Sequence, residues 1–171
     1  KVVLGNEVAA GDQGIMFGYA SNETENYMPL AIDTAHKLSK RLSDLKRENK
    51  HIRPDGKTQV TVLYEDDKPI AITKVVVSTQ HSETINLQDL KDLILNEVIL
   101  KVIDPKWLTP ETEYIVNPGG RFVIGGSFGD SGTTGRKIVV DTYGGMGRIG
   151  GGCFSSKNPS KVDRSAAYYC R

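Results

Sequence analysis

Sulfur, imidazole and indole are scarce in this chain of 171 residues, which has two cysteines, three histidines and one tryptophan. Cys153 and Cys170 make no Cys-x-x-Cys pair, and His36, His51 and His81 lie far apart, so neither set has zinc-site spacing. Two cysteines are also too few for a disulfide framework, which fits a reducing, cytoplasmic setting. No apolar run approaches the ~18 residues of a membrane span, and no basic, apolar, small-residue leader is visible. Without such a leader, the sequon-like Asn22-Glu23-Thr24 carries no weight. The formal net charge of +1 argues against a dedicated nucleic-acid or membrane-surface protein. The first residue is Lys1 rather than Met, and residues 165–171 read as a helix in progress. The expectation is therefore a fragment or processed piece of a longer protein.

Glycine, by contrast, is plentiful and unevenly placed. Of the 18 glycines, 13 lie between Gly119 and Gly152, a window of 34 residues. They have no period of three, which excludes a collagen-like repeat. Charge is uneven too: residues 1–120 carry a net of −4 and residues 121–171 a net of +5. Glycine with scattered Lys and Arg suits a compact anion, because the backbone approaches closely and its N–H groups point at the ligand.

Along the chain, Ile15–Ala20 reads as a buried strand. Pro29 opens a helix whose face carries Leu30, Ala31, Ala35, Leu38, Leu42 and Leu45, ending near Glu48–Lys50. Arg53-Pro54-Asp55-Gly56-Lys57 is a turn by composition. Thr58–Tyr64 and Ile70–Ser78 alternate as two strands joined at Glu65-Asp66-Asp67-Lys68. Asn86 caps a second helix from about Leu87 to Val102, stopped by Pro105. Glu113–Asn117, Phe122–Ile124 and Lys137–Thr142 read as strands, and Asn158-Pro159 starts a last helix. This order predicts an α+β fold, a sheet with helices packed on one face.

Two glycine motifs fail as nucleotide fingerprints. Gly145-Met146-Gly147-Arg148-Ile149-Gly150 has the form G-x-G-x-x-G, but Gly151-Gly152-Cys153 follows where a helix must begin, and no acid stands about 20 residues on. Gly129–Lys137 departs from the Walker pattern in spacing and in its last residue. Four local sets nonetheless combine glycine, carboxylate and cation: Gly11-Asp12-Gln13-Gly14; Asp55-Gly56-Lys57; Asp130 with Arg136-Lys137; and Lys157 with Lys161 and Asp163. Cations neutralise phosphate oxygens and carboxylates hold a divalent ion, so these sets suit a metal–nucleotide site.

Taken together, four stretches resemble the signatures of S-adenosylmethionine synthases (methionine adenosyltransferases), in that family's order. They are Gly11–Ala20; Arg53–Thr61; Gly120–Gly126, followed by Gly129-Asp130 and Thr134–Gly145; and Gly150–Tyr168. The resemblance covers essentially the whole chain. It implies βαββαβ domains interleaved along the chain, with a central domain over 5–118, the start of a C-terminal domain over 119–171, and an N-terminal domain largely outside this sequence.

The implied reaction joins the sulfur of L-methionine to the 5′ carbon of ATP and releases the three phosphates as one chain, which is then cleaved to phosphate and pyrophosphate. Mg²⁺ and K⁺ are the implied cofactors. The implied assembly is a homodimer or dimer of dimers, with the active site between subunits. By matching position, Asp55, Gly56 and Lys57 become ATP contacts, with Lys57 toward phosphate. Arg121-Phe122 becomes the adenine-side pair, and Asp130 a contact shared by methionine and the nucleoside. Arg136, Lys137 and Lys157 become the triphosphate cations, and with Lys57 the catalytic set. Cys153 stands where the family usually has alanine and where ATP passes close. The same matching makes Lys161 similar to the residue near methionine, Asp163 to a Mg²⁺ carboxylate, and Asp12 to a further active-site acid.

Asn158, in place of the usual Asp, keeps its capping role, and Ser127 replaces a usual proline. The family's His-Pro-Asp segment and potassium-site acid are not in this sequence, so the isolated chain is expected to lack synthase activity. A non-catalytic nucleotide-binding or regulatory subunit of the same fold is the competing expectation.

Overall fold

The computed structural model describes residues 13–171 and, before them, the backbone of β1 (Val2–Leu4) and β2 (Glu7–Ala9), an antiparallel pair with Val3 opposite Val8. The chain divides into two compact units, Leu30–Ser131 and Lys1–Pro29 with Gly132–Arg171.

The unit Leu30–Ser131 begins with α1 (Leu30–Glu48), directly after Pro29. Its apolar positions recur at helical spacing, and Leu30, Ala35, Leu38, Leu42 and Leu45 are all buried. Asp33 in the first turn and Lys46 and Arg47 in the last complement the helix dipole. A hairpin follows, β3 (Ile52–Glu65) and β4 (Lys68–His81), joined by Asp66 and Asp67 at φ 49° and 59°. Two consecutive left-handed residues make the turn whose twist matches the strands it joins, and Asp accepts that conformation.

The segment Arg53–Lys57 is not the expected turn. It lies inside β3, where pairing with β4 jumps from Ile52 opposite His81 to Gly56 opposite Thr79. A bulge on an edge strand accommodates Pro54, which has no N–H to give the ladder.

The chain returns through α2 (Leu87–Ile94), a π-helical turn at Leu95–Ile99 and α3 (Leu100–Val102), so the expected span is one helical run with a widened interior. Asn86 caps it as expected, its Oδ1 accepting from the Asp89 N–H at 2.8 Å. The Arg41 Nε–H donates to the Glu97 carbonyl at 2.9 Å, inside the π-helical turn. β5 (Leu108–Val116) then pairs parallel to β4, giving the sheet order β3-β4-β5.

Leu38, Leu42 and Leu45 of α1 meet Ile72, Val75 and Val77 of β4 and Leu90, Ile94, Val98 and Ile99 of the second helical run, all of them buried. The helices therefore share one face of the sheet, the α+β arrangement the sequence predicts. Beyond β5, Asn117 (φ 45°) replaces one rung of the ladder. Its side chain accepts from the Thr79 N–H at 2.8 Å and donates to the Thr79 carbonyl at 3.0 Å.

Residues 122–124 form no strand. Their backbone groups bond instead to side chains and backbone at the end of β4. In the second unit, residues 15–20 are irregular rather than a buried strand, and Ile15 is 59% exposed. The run expected as a strand at Lys137–Thr142 folds as a helical turn, α4 (Ile138–Asp141), with the Thr142 hydroxyl donating to the Ile138 carbonyl at 2.7 Å. A short apolar run does not distinguish strand from helix by periodicity, and here a local side-chain bond supports the helix.

Asn158 caps a turn, accepting from the Ser160 N–H at 3.0 Å, and the last helix, α5 (Val162–Cys170), starts later than expected. Aromatic pairs consolidate this unit: Tyr19 with Tyr143 at 5.9 Å and Phe154 with Tyr168 at 5.8 Å between centroids.

Candidate active site

The expected site residues fall into two groups, one in each unit. In Leu30–Ser131, Asp55, Gly56 and Lys57 sit on the bulged start of β3, and Arg121 and Phe122 sit on the loop after β5. The fold brings Asp55 and the 121–126 loop together. The Asp55 carboxylate accepts the Gly126 N–H at 2.9 Å. A Cβ at Gly125 would stand 2.6 Å from the Phe122 ring and 3.1 Å from that carboxylate, so this close approach needs glycine. Arg121 donates to the Glu83 carbonyl at 3.2 Å. Lys57 and Asp130 are exposed.

Two residues not singled out from the sequence organise this group. The Gln80 amide nitrogen donates to the Val123 carbonyl at 2.9 Å, and its oxygen accepts from the Asp55 N–H at 3.4 Å. His81, fully buried, exchanges two bonds with Phe122: its N–H donates to the Phe122 carbonyl at 2.9 Å, and its Nε2 accepts the Phe122 N–H at 3.0 Å. An accepting Nε2 assigns the proton to Nδ1, which faces the Ser82 carbonyl at 2.9 Å. The available signal was a Gln-His pair ending an apolar strand, where the alternation puts His81 on the buried face. An open cleft of about 990 Å³ runs along this loop, with Arg53, Gln80, His81, Val123, Gly125 and Phe128 in its wall.

In the second unit, Lys157 forms an ion pair with Asp163 in the first turn of α5, and both side chains are largely buried. Asp163 also lines an open cleft of about 390 Å³ with Gln13, Gly14, Ile15, Gly150 and Gly152. Arg136 and Lys137 are exposed just ahead of α4. Gly135 takes φ +82°, and a Cβ there would stand 2.7 Å from the Ser156 hydroxyl oxygen and 3.2 Å from its backbone nitrogen. The strand of chain carrying Arg136-Lys137 is thereby set against the one leading to Lys157. Cys153 is a half-buried free thiol, and Lys161 immediately precedes α5. Asp12 lies outside the described residues.

Among the described residues, no three His, Cys, Asp or Glu side chains gather as a metal cage. A single carboxylate beside a cleft, as Asp163 is, suits a Mg²⁺ ion whose shell is completed by water and phosphate oxygens. No helix of the described residues is long and apolar enough to cross a membrane.

The model of the S-adenosylmethionine synthetase central domain matches residues 7–122, and that of the C-terminal domain matches residues 124–171. The chain belongs to the S-adenosylmethionine synthetase family. Its similarity to curated relatives of that family is high along its whole length. It is 55% identical over 166 residues to the S-adenosylmethionine synthase of Clostridium acetobutylicum, and 58% identical over 166 residues to that of Clostridium tetani. Each of these alignments covers 96% of this chain and 42% of the relative. It is 57% identical over 170 residues to the synthase of Desulfosudis oleivorans, covering 98% of this chain and 44% of the relative. The chain thus spans less than half the length of these synthetase relatives.

Proposed function

We propose that the protein carrying this chain is a methionine adenosyltransferase, which transfers the adenosyl group of ATP to the sulfur of L-methionine. The observation that carries this reading is the match to both synthetase domains in order; the Asp55–Gly126 bond and the Lys157–Asp163 pair support it. The methionine sulfur attacks C5′ of ATP, forming the S–C5′ bond as the C5′–O bond to the triphosphate breaks. The sulfur is neutral and already nucleophilic, so it requires little base chemistry. The leaving chain gathers several negative charges, so fixed cations aimed at it supply much of the acceleration.

In this reading Lys57, Arg136, Lys137 and Lys157 hold the triphosphate. Asp55, Gly56 and the Arg121-Phe122 pair hold the nucleoside, with Asp130 between it and methionine. Cys153 lines the path of ATP, Lys161 faces methionine, and Asp12 is a further acid of the same site. Asp163 would hold Mg²⁺, which when bound neutralises phosphate oxygens. Lys157, which pairs with Asp163 in this structure, would meet phosphate when Asp163 holds the ion. The reading also includes K⁺, assigned to no residue of this chain, and a homodimer or dimer of dimers. It places the protein in the cytoplasm, as two free cysteines suit.

The test supplies ATP and labelled L-methionine to the full-length protein and measures labelled S-adenosylmethionine. Product formation is expected, and its absence under Mg²⁺ and K⁺ defeats the reading. In the same assay Lys157→Met is expected to lower turnover roughly 10²-fold, the loss typical of one preorganised charge contact. Unchanged turnover removes Lys157 from the triphosphate set.

A further inference from the structure

The loop 119–126 lacks a strand's own hydrogen bonds. Its shape rests on groups delivered by the ends of β3 and β4: His81 to both backbone groups of Phe122, Gln80 to the Val123 carbonyl, and Asp55 to the Gly126 N–H. Of these, His81 alone is fully buried. It is also committed on both ring nitrogens, so its orientation is fixed from two sides.

Removing the Nε2 acceptor leaves the half-buried Phe122 N–H unpaired, a cost the loop relieves by moving. The Phe122 ring would move with its backbone. The ring also packs close to Gly125, where an added Cβ would stand 2.6 Å from it.

We propose that His81 is the positioning residue of the adenine side of the site: it fixes the Phe122 backbone, and so the ring that meets the base, without touching the nucleotide. This inference rests on the nucleotide reading given above for Arg121-Phe122. The function of the imidazole here is that of an acceptor at Nε2. The Oε1 of a glutamine stands at a comparable reach, so His81→Gln is the conservative variant, and His81→Leu removes the acceptor at similar bulk.

The proposal separates two substrates of the same centre. ATP needs the adenine side, whereas inorganic tripolyphosphate needs only the phosphate side. In the full-length protein, His81→Leu is expected to raise KM for ATP by about tenfold, the equivalent of one lost hydrogen bond. Tripolyphosphate cleavage is expected to stay within about twofold of the parent, and His81→Gln to recover most of the ATP affinity.

Hydrogen–deuterium exchange provides a readout that needs no nucleotide: the Phe122 amide is protected in the parent, exposed in His81→Leu and protected again in His81→Gln. Unchanged Phe122 protection in folded His81→Leu overturns the positioning role, as does an equal fall with ATP and tripolyphosphate that Gln does not rescue. If Phe122 deprotects and tripolyphosphate cleavage holds while KM for ATP stays unchanged, the positioning of the loop stands as a structural fact. The assignment of Phe122 to adenine is then what fails, and the proposal with it.

Discussion

Gly135 couples a backbone conformation to a contact, since its φ of +82° is one that side chains rarely adopt and its Cα faces Ser156. Gly135→Ala is expected to destabilise the protein by about 1–3 kcal/mol, seen as a lower thermal midpoint. An unchanged melt would show that the Gly135–Ser156 approach relaxes freely. Contiguous sets such as Asp55-Gly56-Lys57 and Arg136-Lys137 could be picked out from the sequence as candidates, although the turn expected at the first lies inside β3. The sequence grouped Lys157 with Asp163, but their direct ion pair could not be read from it, because the pair depends on where α5 begins, and Asn158-Pro159 resembled that start. Gln80 and His81 were equally hidden. Each is an ordinary strand residue until a distant loop offers it an unpaired N–H or carbonyl.

At the scale of elements, α1 is braced to the π-helical turn by charge. Arg41 binds both oxygens of Glu48, at 2.8 and 2.9 Å, and also reaches Glu97, which Lys101 holds at 2.6 Å. The Arg41 bond holds the Glu48 carboxyl below its ordinary pKa, and the Lys101 bond does the same for Glu97. Both acids therefore bind protons less readily folded than unfolded. Their contribution is present above the ordinary carboxylate range and is lost as pH falls through the lowered values. Arg41→Gln is expected to lower stability modestly at neutral pH, since exposed pairs contribute little, and to converge with the parent in acid, which flattens the acid limb of its stability–pH curve. Chemical denaturation at stepped pH reads this directly, and identical acid limbs in the two proteins would rule the brace out.

Both braced elements could be read from sequence, α1 from its apolar spacing and the second helix from Asn86 to Pro105. The π-helical turn could not, since its widened geometry is accommodated by a partner 56 positions away in sequence, Arg41. The strand expected at 122–124 failed for a related reason: β-branched composition favours extended backbone, but ladder partners decide whether that backbone becomes a strand.

For the whole molecule, the cationic excess after residue 120 has a functional expectation attached. If Arg136, Lys137 and Lys157 gather one polyphosphate, its binding is expected to weaken steadily from low to physiological ionic strength. Calorimetric titration with tripolyphosphate measures this, and a salt-independent affinity would assign the excess to solvated surface.

Connectivity has a consequence in time as well as in space. The turn Asp66-Asp67 lets β3 and β4 zip within about 1–10 μs, as local hairpins do. The partner on the other flank of β4 is parallel, and it arrives only after residues 82–107 have been laid down and folded back. Until then Val75, Val76 and Val77 present an open apolar edge, the kind that pairs with whatever strand comes first. A nascent or refolding chain is thus most vulnerable to a neighbouring copy of itself during that wait. Refolding yield is therefore expected to rise with dilution.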